Sequence, residues 1–137
     1  MLPPGRLPAG ADEAAAAQAA LGFERVAAPA QAALAYETVL QRWPASLTAG
    51  MGLGNARLAS GNLDAAAAAF EHVAQQHDSA AAWNNLASVR LRQGDLDAAK
   101  SAARQAFERA HAAEPRWIDA ARDTLRELDE ARSRERQ

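Results

Sequence analysis

The segment Gly61-Asn62-Leu63-Asp64-Ala65-Ala66 returns, at a period of 33, as Gly94-Asp95-Leu96-Asp97-Ala98-Ala99. Around it, Leu53-Gly54 answers to Leu86-Ala87, Arg57-Leu58 to Arg90-Leu91, and Ser46 to Ser79. A fixed period of this length marks a chain built by stacking small units, each unable to bury its apolar face alone. Each unit reads as two helices. The glycine supplies the left-handed residue that ends the first helix. Asn62 or Asp95 caps the second, and Asp64 or Asp97 places a negative charge in its first turn, where the helix dipole favours it.

Hydrophobic spacing gives the rest of the map. Leu63, Ala66, Ala67, Phe70, Val73 and Ala74 form one apolar stripe at helical spacing, and Trp83, Leu86, Ala87 and Leu91 form another. A more degraded unit precedes these: Ala32-Ala33, Tyr36, Val39 and Pro44 echo Ala66-Ala67, Phe70, Val73 and Asp78 at a spacing of 34. Pro29 falls at the first turn of its second helix, where proline is tolerated. Beyond the last unit, Trp117, Ile118, Ala121, Leu125 and Leu128 share one face. Charged residues from Arg116 to Glu127 share the other, the pattern of a cap. The spacing predicts seven helices, over about 12–26, 29–43, 46–60, 63–77, 79–93, 96–112 and 115–133, with no strand. The corresponding division is a Pro-rich lead-in at 1–11, repeats at 12–45, 46–78 and 79–112, the cap, and a frayed tail at 134–137.

Composition fits thin stacking better than a thick core. Hydrophobic residues make up 49% of the chain and more than half of them are alanine, the best helix former but one that buries little area. A net charge of −2 gives no reason to expect nucleic acid or an anionic membrane as partner. Cysteine is absent, which excludes disulfides, thiolate zinc sites and cysteine nucleophiles. No apolar stretch approaches the about 20 residues of a membrane span. The start lacks the apolar core of a signal peptide. The expectation is a soluble protein of the bacterial cytoplasm or periplasm, the choice between them open.

No constellation for catalysis stands out. His72 and His77 are five apart and fall on different helix faces, which does not suit a metal. The serines read as caps and surface positions. Gly50-Met51-Gly52-Leu53-Gly54 lacks the preceding strand and the following Gly-Lys-Ser/Thr of a phosphate loop, and reads as small residues where two helices nearly touch. Neither enzyme activity, metal nor cofactor is expected. Arg57, Arg90, Arg92 and Arg104 are expected to be neutralised by Glu71, Asp95, Asp97 and Glu108.

These residues together resemble the tetratricopeptide repeat family, whose pattern is W-x₂-L-G-x₂-Y…A-x₃-F…P. The last unit offers Trp83, Leu86, Ala87, Arg90, Ala99, Ala103 and Ala106; the middle unit Gly50, Leu53, Gly54, Arg57, Ala66, Phe70 and Val73; the first Ala32, Tyr36, Val39 and Pro44. The resemblance covers about residues 12–111. Arginine stands for the aromatic residue at Arg57 and Arg90, Ala103 for the large residue supplied elsewhere by Tyr36 and Phe70, and Gly50 for tryptophan. The resemblance implies an all-α, right-handed superhelix of three repeats plus a capping helix, its concave face lined by the first helix of each repeat. It implies a protein-interaction module that takes a peptide or partner protein, as a monomer or weak homodimer, without direct membrane insertion. The matching groove positions are Ala17, Leu21, Met51, Asn55, Leu58, Asn84, Ser88, Leu91 and Arg92. Asparagine can both donate to and accept from a peptide backbone, and methionine adapts its shape. The carboxylate clamp of some members is missing, because its positions hold Ala17, Leu21, Gly52, Ala81 and Asn85. A second resemblance joins Leu2-Pro3-Pro4-Gly5-Arg6-Leu7-Pro8 to the stretch that precedes the repeat tail of bacterial papain-like, bacteriocin-processing-type peptidases. It implies an alternative role as a substrate-positioning tail of a larger multidomain protein, of which this chain would be a fragment.

Overall fold

A computed structural model describes residues 12–24 and 28–137. All regular structure among them is helical: α1 Glu13–Glu24, α2 Pro29–Arg42, α3 Leu47–Ala59, α4 Leu63–His77, α5 Ala80–Arg92, α6 Leu96–Ala113 and α7 Ile118–Glu135, with a single 3₁₀ turn at Pro115–Trp117. The helices fall where periodicity places them, within a few residues. One boundary needs correction. The last helix starts at Ile118, not at Pro115, because Pro115 opens the separate tight turn that holds Trp117. The lead-in, the expected end of the first helix at Val26, and the stretch Leu2–Pro8 that carries the peptidase resemblance lie outside the described residues.

The two matching turns are built identically. Gly61 and Gly94 take φ values of 77° and 81°. In the first turn Gly61 N–H donates to Leu58 O and Asn62 N–H to Arg57 O; in the second Gly94 N–H donates to Leu91 O and Asp95 N–H to Arg90 O. This paired closure satisfies carbonyls that a helix end leaves open, and it needs the left-handed glycine. The next helix is capped at once: Ala65 N–H donates to Asn62 Oδ1 and Ala98 N–H to Asp95 Oδ1. Ser46 and Ser79, at the same period, are the corresponding caps of α3 and α5, accepting from Ala49 and Ala82 N–H at 3.2 and 3.3 Å.

The chain forms two compact units, divided within α4 between Ala69 and Phe70. The core of the first gathers Ala16 and Ala20 of α1, Ala32, Ala33, Tyr36 and Val39 of α2, and Ala49 and Ala56 of α3. Tyr36 is fully buried, and its hydroxyl donates to the Glu24 carboxylate at the end of α1. Burial, then that hydrogen bond and charge, hold the phenol pKa above its ordinary value of 10. The second unit packs α5 on α6 and α7 on both. Its buried residues are largely alanines, such as Ala87, Ala99, Ala103 and Ala106, with Phe70, Val73, Leu86, Val89 and Leu128 as the bulky exceptions. Alanine at these positions lets helices approach closely at the cost of buried area. Among the described residues, no helix is long and apolar enough to cross a membrane.

Candidate functional site

The expected contact residues divide between the units. In the first, Met51, Asn55 and Leu58 sit at i, i+4 and i+7 of α3, one helix face. Met51 and Leu58 are half-buried and Asn55 is exposed. Another face of α3 is committed inward, since Ala49, Gly50, Gly52, Gly54 and Ala56 are buried. Leu21 on α1 is half-buried as well. Ala17 is corrected: at 3% exposure it belongs to the core and offers no contact surface.

In the second unit, Asn84, Ser88 and Leu91 repeat the i, i+4, i+7 spacing on α5, with Arg92 beside them. Asn84 and Leu91 are half-buried, Ser88 and Arg92 exposed. The Ser88 hydroxyl donates to Asn84 O at 3.3 Å, so its proton is used within the helix and only its lone pairs face outward. Asn84 Oδ1 is buried and accepts no hydrogen bond. A buried acceptor left unmet carries a penalty of about 1–3 kcal/mol.

Charge follows expectation at Arg90 and departs from it elsewhere. Arg57 on α3 pairs with Glu37 on α2, and Arg90 on α5 pairs with Glu71 on α4 at 3.4 Å. Glu37 and Glu71 stand 34 residues apart, one repeat, as the two arginines stand 33 apart. At the position where the family pattern has an aromatic ring, this chain therefore repeats an ion pair from first helix to preceding second helix. The spacing of the glutamates was the available signal. Asp97 serves Arg132 rather than the arginines of the expected stripe, and Arg92 and Arg104 form no ion pair among the described residues.

A second cluster escaped sequence reading. Asp78, at φ 47°, accepts from Trp83 Nε1 at 3.0 Å and lies 3.5 Å from Arg109. Arg109 Nε donates to Glu114, whose same oxygen accepts from Ala80 N–H at 2.9 Å. Glu114 thus caps α5 from a full repeat downstream and ties it to α6. No local pattern announces such a cap. These residues build the second unit, and none of them is among the expected contact residues.

Among the described residues, no group of three His, Asp or Glu is placed to hold a metal. His111 packs edge-on against Phe107, ring centroids 4.4 Å apart. A shallow charged depression of about 320 Å³ runs along α6, beside Asp97, Lys100, Arg104 and Glu108; none of the expected contact residues borders it.

Two family models, both described as tetratricopeptide repeat, match residues 27–89 and 80–110. Among solved structures, the chain is similar to the type III secretion translocator chaperone SycD of Yersinia enterocolitica, with a TM-score of 0.77, 18% identity, and 88% of this chain against 83% of that one covered. PcrH in complex with the chaperone binding region of PopD gives 0.79 at 19% identity, covering 90% and 97%. The first TPR of Spaghetti (RPAP3) bound to the HSP90 peptide SRMEEVD gives 0.75 at 15%, covering 88% and 93%. No curated protein is matched by the sequence. At these identities the likeness is one of fold, that of the all-α helical-repeat solenoids.

Proposed function

We propose, from the premise that the chain carries tetratricopeptide repeats, that it is a protein-interaction module whose first helices receive a peptide segment of another protein. Residues 12–133 would act as one binding domain, with repeats at 12–45, 46–78 and 79–112 followed by the final helix. Contact would be made by Leu21, Met51, Asn55 and Leu58 in the first unit and by Asn84, Ser88, Leu91 and Arg92 in the second. The observation that carries the reading is Asn84: an amide oxygen without a donor, beside the half-open Leu91. Once the half-buried Asn84 side chain turns its amide oxygen outward, a peptide N–H supplies the missing donor, and an apolar side chain completes the burial of Leu91. Met51, Asn55 and Leu58 offer the same chemistry on α3. Support also comes from PcrH and Spaghetti, which share the fold and hold a binding region or peptide of another protein. The role is binding, without a catalytic step.

Selection from a displayed random-peptide library, followed by amide NMR mapping of the best binder, tests this. Signals of Met51, Asn55, Asn84 and Leu91 are expected to move, and Asn84→Ala to weaken binding without loss of helix content. Movement confined to the outer face of α6, around Arg104 and Glu108, would place the site elsewhere.

A further inference from the structure

The residues of α5 return in α7 and the turn just before it. Trp83, Ala87, Leu91 and Arg92 recur, at a spacing of 34, as Trp117, Ala121, Leu125 and Arg126. Their burial recurs too. Both alanines are buried, both tryptophans and both leucines half-buried, and both arginines exposed. A helix that only capped the stack would close its apolar face against α6 and turn charge to water. Helix α7 does bury Ala121, Thr124 and Leu128. It nevertheless keeps Ile118 and Leu125 half-open, at the positions that correspond to Asn84 and Leu91 on α5, and α5 and α7 are in contact.

Of the arginines beside this edge, one is unpaired and two are weakly held. Arg92 forms no ion pair among the described residues. Arg122 and Arg126 pair only with carboxylates of their own helix, Asp119 at 3.5 Å and Asp123 at 2.9 Å, and all four side chains are more than half exposed. Exposed pairs three residues apart hold weakly and exchange readily for a better partner. An arginine fork takes a carboxylate through two parallel hydrogen bonds, an arrangement that a partner peptide can offer.

We propose that α7 is the first helix of a fourth, unfinished repeat, and that with α5 it forms a docking surface for an acidic peptide segment of another protein. A large aliphatic side chain of that segment seats against Leu91, Ile118 and Leu125, and its carboxylates meet Arg92, Arg122 and Arg126. This rests on the binding role proposed above and gives it a composition: apolar anchors flanked by glutamate or aspartate.

The test uses three short fluorescein-labelled peptides with leucine at every fourth position, the remainder being glutamate, glutamine or lysine. Anisotropy is measured on the full chain at low and high salt. The glutamate peptide is expected to bind tightest and the lysine peptide weakest, with the gap closing as salt rises. Arg122→Gln/Arg126→Gln is expected to weaken the glutamate peptide about tenfold at unchanged helix content, and Arg122→Lys/Arg126→Lys to recover most of the loss. Amide signals of Ile118 and Leu125 should move with those of Leu91. Equal binding of the three peptides, or an unaffected glutamine variant, overturns the charge assignment. Movement on α5 without movement on α7 makes α7 a cap after all and leaves the binding role intact. Failure of all three peptides to bind, together with an empty library selection, overturns both.

Discussion

At Gly52 the backbone of α3 runs against the ring of Tyr36: a Cβ built there would overlap the ring carbons. Alanine normally gains up to about 1 kcal/mol over glycine inside a helix. Here it must push a fully buried ring aside, which costs about 1–3 kcal/mol. Gly52→Ala is therefore expected to lower the urea midpoint; a raised midpoint would show that the contact is slack. Tyr36 yields a second expectation. Its folded pKa is raised above 10, so the unfolded chain ionises first. The stability held by the neutral phenol is whole below pH 10 and is lost as pH rises above it, by up to about 1.4 kcal/mol per pH unit. Tyr36 is the sole tyrosine, so tyrosinate absorbance reports it directly. Tyr36→Phe should be less stable by about 1 kcal/mol near pH 8 but lose less between pH 10 and 11. Parallel pH profiles for the two proteins would place the alkaline loss in another group.

Between elements, the repeated arginine–glutamate pair stands where aromatic packing serves the family pattern. Arg57 and Glu37 are each about one-third exposed, at 33% and 35%. That exposure keeps their coupling below about 1 kcal/mol and open to salt. A double-mutant cycle with Arg57→Met and Glu37→Gln is expected to return a coupling of about 0.5 kcal/mol that fades in high salt. A coupling that persists at high salt would mean the pair is shielded from water. The pair's worth is chiefly register: a long, planar, charged side chain on one helix meets a fixed carboxylate on the preceding one. Glu114 does comparable work from farther away, capping α5 while holding Arg109. Neither arrangement belongs to the repeat's consensus, and both use exposed or half-exposed groups that alanine-rich helices leave room for.

For the whole molecule, the alanine content means that few side chains supply core volume. Among the described residues, the largest fully buried ones are Tyr36, Phe70, Val39, Val73 and Val89. Phe70→Ala removes most of a ring from such a core and is expected to cost about 3–5 kcal/mol. Against a total of about 5–15 kcal/mol for an ordinary domain, that should lower the thermal midpoint steeply, read by far-UV circular dichroism. A shift of only a degree or two would mean the surrounding alanines collapse into the space.

The helices, their order and their ends are legible in the residues alone. Glycine at the left-handed turn, an Asn, Asp or Ser cap, and apolar residues three or four apart are all local, and the energies that act on them are settled within one or two turns. The faces of α3 and α5 are legible there as well, because helical spacing alone puts Met51 with Leu58 and Asn84 with Leu91. What those faces have left to offer was settled by packing. Ala17 lost its surface to the core, Ser88 spent its proton on its own helix, and Asn84 kept an acceptor without a donor. Packing likewise decided that Glu37, not Glu71, meets Arg57, and that Glu114 reaches back a full repeat to cap α5. Each of these depends on which distant side chain arrives at hydrogen-bonding distance, and packing alone settles that.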